Sequence, residues 1–176
     1  ANTISNGGRL NDGWRTLNWE EWLYLFLNRP NAEQLRGQAT VNKVHGYIFL
    51  PDNWELPKKL TFTPNARSWD VNVYSTSQWD KMEKNGAVFL PAGGFRVGTE
   101  VSMVGHFGFY WSSSLFNDLA SGDGRDFYFS VNKEGPRDHE KRFYGLAVRP
   151  VLDVWGGQPQ QQAVQEIHYQ PQPVVQ

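Results

Sequence analysis

Apolar residues near the start of the chain repeat with the spacing of a helix. Four of them fall at i, i+3, i+4 and i+7, which is one face of a helix: Trp19, Trp22, Leu23 and Phe26. Asn18 precedes this stripe and Glu21 lies three residues later, so the sequence predicts a helix that begins with a capping box. Arg29 and Pro30 are expected to end it, because proline disfavours helical geometry in the residue before it.

A second helix is expected to end at residue 84, with an N-cap supplied by Ser75-Thr76-Ser77 and a C-cap by Asn85-Gly86. A short helical turn is expected near 32–35. Runs of aromatic and β-branched residues predict strands at 44–50, 87–91, 95–98, 107–114, 126–131 and 143–154. The segment 132–142, around Gly135-Pro136, is expected to be a charged turn. Two early helices followed by a run of strands favour the α+β class.

The polar segment 115–125 joins two of these predicted strands, and Gly122 and Gly124 supply turns within it. A loop rich in Asn, Asp, Ser and Arg, held between two strands, is a common way to build a binding surface. An ordinary solvated hairpin loop has the same composition, so the pattern leaves both interpretations open.

Composition excludes several classes of function. The chain has 176 residues and a net charge of −1, which argues against a nucleic-acid arm or a basic membrane patch. It contains no cysteine, so disulfides, thiol nucleophiles and thiolate metal sites are excluded. No apolar run is long enough to span a membrane. Aromatic residues make up 15%, which suits an aromatic core, an aromatic binding surface, or both.

Catalytic motifs are not found. The four histidines are scattered along the sequence, and no Gly-x-Ser-x-Gly elbow is present. The segment Phe116-Asn117-Asp118, together with Asp123 and Asp126, offers oxygen ligands for Ca²⁺. The alternative is a solvated acidic loop partly balanced by Arg125. We therefore expect no enzyme activity, no cofactor and no metal.

The composition changes at the carboxyl end, where residues 155–176 are rich in Gln and Pro. Such a low-complexity segment has no core-forming pattern. It is either a flexible linker or an extended arm that lies along a partner. Apolar anchors for an arm are present: Val164, Ile167, Tyr169, Val174 and Val175.

Eight motifs occur in an order that resembles the major paralogous domain family of Bacteroidetes and Fibrobacter surface proteins. They are ISNGG at 4–8, WRTL at 14–17, EWLYLF at 21–26, LRGQATV at 35–41, GYIFLP at 46–51, VFLPAGGFR at 88–96, GFYWSS at 108–113 and RFYGLAVRPV at 142–151. The resemblance implies a C-type-lectin-like domain over 1–154, in which two helices flank a small antiparallel sheet and the last strand returns toward the start. It also implies that sequence normally precedes Ala1, so the domain is expected to lack its N-terminal part.

The branch of the fold that this family shares includes formylglycine-generating-enzyme type domains, whose chemistry depends on cysteines that this chain lacks. The fold of this family is also similar to that of the variable proteins of diversity-generating retroelements, including phage tropism determinants. In those proteins a region near the carboxyl end is rewritten to bind different targets. By resemblance, that region corresponds here to residues 111–149.

These observations together predict a non-enzymatic, receptor- or adhesin-type domain that presents a polar and aromatic loop surface to a protein or glycan on a cell surface. The expected contacts are Trp111, Ser114, Phe116, Asn117, Asp118, Arg125, Asp126, Arg137 and His139. The alternative is a structural or decoration subunit of a phage virion or surface filament, docked through its tail as a homo-oligomer or larger assembly. The expected location is extracellular or on a cell surface, or else in a virion, with no nucleic-acid partner.

Overall fold

A computed structural model describes residues 13–116 and 122–152 of the chain, except for the side chains of residues 137 and 138. The helical segments are α1 (Trp19–Leu23), a π-helical turn (Tyr24–Asn28), a 3-10 turn (Ala32–Leu35) and α2 (Thr76–Lys84). The strands are β1 (Trp14–Thr16), β2 (Arg36–Val41), β3 (Val44–Phe49), β4 (Val73–Tyr74), β5 (Val88–Pro91), β6 (Phe95–Val97), β7 (Glu100–Ser102), β8 (Phe107–Leu115), β9 (Asp123–Ser130), β10 (Glu134–Lys141) and β11 (Pro150–Leu152).

Both predicted helices are confirmed, and so are their caps. The Asn18 side chain accepts from the Glu21 amide, and the Glu21 carboxylate accepts from the Asn18 amide at 2.8 Å. Ser75 and Gln78 form the equivalent box at the start of α2. After Leu23 the first helix widens into the π-helical turn, which the bond from the Arg29 amide to the Tyr24 carbonyl closes. The apolar stripe therefore continues to Phe26, which is buried with Trp22.

The α+β class is confirmed. The strands form several small sheets instead of the single small antiparallel sheet that was expected. Within the described residues the sheets have the strand orders β4-β2-β3-β5, β10-β9-β8, β1-β11 and β6-β7. All pairs are antiparallel except β2 with β4, which is parallel. The last strand does return toward the start, because β11 pairs with β1.

The prediction of a charged turn over 132–142 is wrong. Glu134–Lys141 forms strand β10, and the actual turn is tighter, closed by the bond from the Ser130 amide to the Lys133 carbonyl. Gly135 and Pro136 lie where the register of β10 against β9 shifts. A bulge of this kind tolerates a residue without an amide hydrogen, so Pro136 does not break the strand.

Two further boundaries differ from the sequence predictions. The last strand was expected over 143–154, but only Pro150–Leu152 is paired as β11. Strand β9 begins at Asp123 rather than at residue 126, so the loop between β8 and β9 is shorter than predicted. This brings Asp123 and Arg125 onto a strand and fixes their positions.

One aromatic core joins α1 to the sheets. Trp22 is stacked on Phe127 with 4.9 Å between ring centroids, and Tyr47 packs edge-on against Phe127 at 5.8 Å. All three residues are essentially inaccessible to solvent. A second cluster around Ile48 and Met82 seats α2 against the four-stranded sheet. With the partly buried residues packed against them, these two clusters contain half of the aromatic residues of the chain.

Polar contacts tie the two larger sheets together. Arg36 on β2 is buried over the Phe26 ring and lies 3.4 Å from the Glu134 carboxylate on β10. Gln38 donates a 2.7 Å hydrogen bond to the Ser130 carbonyl. Burial raises the pKa of Glu134, although the charge of Arg36 opposes the shift. The three-stranded sheet is thereby held in a fixed position relative to the rest of the fold.

Candidate ligand-binding surface

The ends of three strands meet at one edge of the sheet β10-β9-β8. In the antiparallel register Leu115 is opposite Gly124, His139 is opposite Arg125, and Lys141 is opposite Asp123. The end of β8, the start of β9 and the end of β10 therefore lie side by side. Residues 117–121, which join β8 to β9 at this edge, lie outside the described residues.

Four side chains at this edge form a layered group that we call the aromatic stack: Trp19, Arg125, Phe116 and His139. The guanidinium carbon of Arg125 lies 4.4 Å from the ring centroid of Trp19 and 5.1 Å from that of Phe116. The Phe116 and His139 rings are stacked, with 3.7 Å between centroids and 24° between planes. All four residues are half-buried, so the stack keeps part of its surface open to solvent.

The position of Trp19 follows from the start of α1. The Ser114 hydroxyl accepts a 3.0 Å hydrogen bond from the Trp19 amide, and the Ser113 amide donates to the Leu17 carbonyl at 2.8 Å. These two bonds hold the beginning of the helix against the end of β8. Trp19 is thus fixed over the same edge of the sheet as Arg125.

Asp123 adds a charged group beside the stack. Its buried carboxylate lies 2.9 Å from the Lys141 ammonium and 3.2 Å from Nδ1 of His139. The bond to Lys141 and the charges of Lys141 and His139 outweigh burial and lower the pKa of Asp123. The carboxylate is therefore ionised at neutral pH, and it orients the His139 ring that stacks on Phe116.

A cavity of about 310 Å³ lies on the other face of β9. Trp111 forms part of its wall, and the indole covers Gly124, where an added Cβ would lie 2.9 Å from the ring. Because side chains alternate along a strand, Arg125 faces away from the side that Gly124 shares with Trp111. Arg142 also lines this cavity, and its Nε donates to the Gly122 carbonyl at 2.8 Å.

The structure brings together three of the predicted contacts, Phe116, Arg125 and His139, and places Trp111 on the opposite face. Ser114 is used to hold the start of α1. Asn117 and Asp118 lie outside the described residues, and Arg137 belongs to β10 without a described side chain.

Asp126 corrects the predicted contact set. Its relative exposure is 0%, so it lies within the protein rather than on the binding surface. Asp126 follows Arg125 directly, so it lies on the face of β9 that carries Gly124 and not on the face of Arg125.

Sequence reasoning missed Trp19, Lys141 and Arg142. Trp19 was assigned to the buried stripe of α1, but it occupies the first position of the helix and is only half-buried. Lys141 and Arg142 lie in the segment for which the sequence predicts a charged turn. The segment 138–142 has no alternation of apolar and polar residues, so the sequence carries no local signal that it forms a strand.

Within the described residues, no group of three or more acidic or histidine side chains is placed to hold a metal ion. Asp123, one of the oxygen ligands considered for Ca²⁺, is paired with Lys141. A cation at that position would have to displace the ammonium group.

No family model matches the chain, and no curated protein or solved structure is found to be similar to it. No described helix has the length and apolar character needed to cross a membrane.

Proposed function

We propose that this chain is a non-enzymatic ligand-binding domain of the C-type-lectin-like type, acting at a cell surface or on a virion. It presents the edge of the sheet β10-β9-β8 to a protein or glycan. The observation that carries the proposal is the aromatic stack, in which Arg125 lies between two partly exposed aromatic rings. Aromatic and Arg side chains dominate binding hot spots, because they bury a large area for little lost entropy.

The stack is preorganised, which favours recognition over a merely solvated loop. Trp19 is held by the cap of α1 and by Ser114, while Asp123 orients His139. Side chains that are already ordered lose little further freedom when a partner binds. A solvated hairpin loop, the alternative interpretation of this segment, does not require such support.

The test is a screen of the purified full chain against arrays of immobilised glycans and of extracellular proteins. The variant Arg125→Gln removes the central charge of the stack, and Lys81→Gln makes the same charge change on exposed α2 as a matched control. Loss of a hot-spot side chain costs about 2 kcal/mol or more, which is at least about tenfold in Kd. We expect Arg125→Gln to lose binding and Lys81→Gln to retain it. Equal binding by both variants would contradict the proposal.

A second candidate function, assembly through the tail, is favoured by a different feature. An apolar cleft of about 370 Å³ lies between the β1-β11 ribbon and the main core, with Trp22, Leu25 and Val88 in its walls. Trp14 and Leu152 line it and are paired across the ribbon. In this alternative, the apolar residues of the segment 164–175 from one copy occupy the cleft of another.

Light scattering on the full chain and on a chain ending at Asp153 separates the two candidates. Assembly through the tail predicts an oligomer that becomes a monomer on truncation. Monomers in both cases would exclude the tail as a self-association arm and leave the binding function as the proposal.

A further inference from the structure

The cavity that Trp111 lines exists because β8 carries extra residues at its end. The register of β8 against β9 passes from Trp111 opposite Asp126 to Leu115 opposite Gly124. Three serines on β8 therefore face only one residue of β9 and bulge away from the sheet. A bulge re-aims side chains and is common beside functional sites. The resulting space of about 310 Å³ has room for about ten water molecules, which is enough for one sugar ring.

The floor of this cavity is a flat aromatic surface. Trp111 is half-buried, and its six-membered ring rests on Gly124. Any side chain at residue 124 would collide with the indole, so glycine is what allows the ring to lie against the strand. An indole fixed in this way offers an apolar face for the C–H side of a sugar ring, together with a polar edge.

The cavity also has a cation without a carboxylate partner. Arg142 is exposed, and in the described part of the chain no acidic side chain forms an ion pair with it. Its Nε bonds to the Gly122 carbonyl, which orients the guanidinium and leaves the terminal nitrogens available. A planar guanidinium recognises a carboxylate through two parallel hydrogen bonds.

One hydroxyl group remains available in the bulge. The Ser112 hydroxyl bonds to the Ser114 backbone, and the Ser114 hydroxyl accepts from the Trp19 amide. The Ser113 hydroxyl lines the cavity and has no hydrogen-bond partner among the described residues. It is therefore free to bind a hydroxyl group of a ligand.

We propose that this cavity is a subsite for an acidic sugar, such as a uronic acid at the end or side of a glycan. The sugar ring lies on Trp111, its carboxylate binds Arg142, and one of its hydroxyls bonds to Ser113. This inference rests on the proposed binding function and specifies a ligand class for the same end of the sheet. A sugar acid carries the ring face for Trp111, a hydroxyl for Ser113 and the carboxylate for Arg142 on one small rigid molecule, so the combination favours a sugar.

The experiment measures binding of methyl glucuronide and of the neutral methyl glucoside to the full chain by ligand-observed NMR titration. The two probes differ only in the carboxylate. We expect the glucuronide to bind at least about tenfold more tightly than the glucoside, since a charged hydrogen-bonded pair is worth about that ratio. Equal binding of the two probes, or binding of neither, would overturn the proposal.

Variants then locate the site. Arg142→Gln should reduce glucuronide binding about tenfold, and Arg142→Lys should recover only part of it, because an ammonium group does not form the paired bonds. Arg142 is exposed, so both variants are expected to fold, and Ser113→Ala gives an independent loss within the same cavity. Lys81→Gln on α2 is the matched control, remote from both surfaces, and should leave glucuronide binding unchanged. Unchanged binding by Arg142→Gln would contradict the assignment.

The two proposals fail differently. If the glucuronide does not bind but Arg125→Gln abolishes binding to an array component, the acidic-sugar subsite is wrong and the binding function stands. If neither the glucuronide nor any array component binds, both proposals are wrong.

Discussion

Arg125→Gln should destabilise the protein by a predictable amount, because Arg125 lies between two aromatic rings. Its guanidinium carbon is 4.4 Å from the Trp19 centroid and 5.1 Å from the Phe116 centroid, both within the range of a cation–π contact. Each such contact at a partly exposed site is worth about 0.5–1 kcal/mol. The substitution should therefore cost about 1–2 kcal/mol, which lowers Tm by roughly 2–8 °C for a chain of this size.

A double-mutant cycle isolates one of these contacts from other effects of the substitutions. Arg125→Gln and Trp19→Ala are measured singly and together by urea unfolding followed by circular dichroism. The structure predicts a coupling free energy of about 0.5–1 kcal/mol between the two residues. Lys81→Gln should leave the free energy of unfolding nearly unchanged. A coupling energy of zero would refute the claim that the stack is formed in solution.

Three further predictions concern stability. Asp123→Asn should destabilise the protein at about pH 7 and progressively less as the pH falls below the ordinary Asp range, because a lowered pKa gives stability that is lost as pH falls through the folded value. A loss in urea unfolding that does not change with pH would refute this. The native protein should lose stability as pH rises through the raised pKa of Glu134, and Glu134→Gln should abolish that loss; a loss that persists in the variant would assign it to another group. Gly108→Ala should cost about 1–3 kcal/mol, since its Cβ would lie 2.1 Å from the buried Phe129 ring. Gly93→Ala, with open space around it, is the control, and similar melting of the two variants would argue against the packing.

Local signals in the sequence were sufficient for the helices. Asn18 and Ser75 cap α1 and α2 as predicted, because a capping box depends only on residues three apart. The strand over 44–50 was also predicted, since a run of apolar and aromatic residues indicates a buried strand.

Strands whose residues are polar or interrupted were harder to predict. β2 contains Arg36 and Gln38, residue types that are usually exposed, but both are buried. Their polar partners are Tyr47 and Glu134 for Arg36 and the Ser130 carbonyl for Gln38. β10 contains Gly135-Pro136, which reads as a turn but lies in a bulge. In both cases the stabilising partner is distant in sequence, so local pattern alone gives no indication of it.

The sequence predicted only part of the candidate site, because some of its residues contact partners that are distant in sequence. Phe116, Arg125 and His139 were predicted as contacts of one surface, and the pairing of β9 with β8 and β10 brings them together. Their common partner Trp19 is far away in sequence, and it reaches the site only because Ser114 holds the start of α1 against β8. Arg142 and Trp111 likewise share a cavity only after the register of β8 and β9 is known.

Hydrogen–deuterium exchange on the full chain, with and without the array component that binds most strongly, tests the central claim most directly. The account predicts slower exchange in the segments 113–116, 122–126 and 138–142, which meet at one edge of the three-stranded sheet, and no change in α2. Protection confined to β1 and β11, beside the apolar cleft, would contradict the account and support assembly through the tail instead.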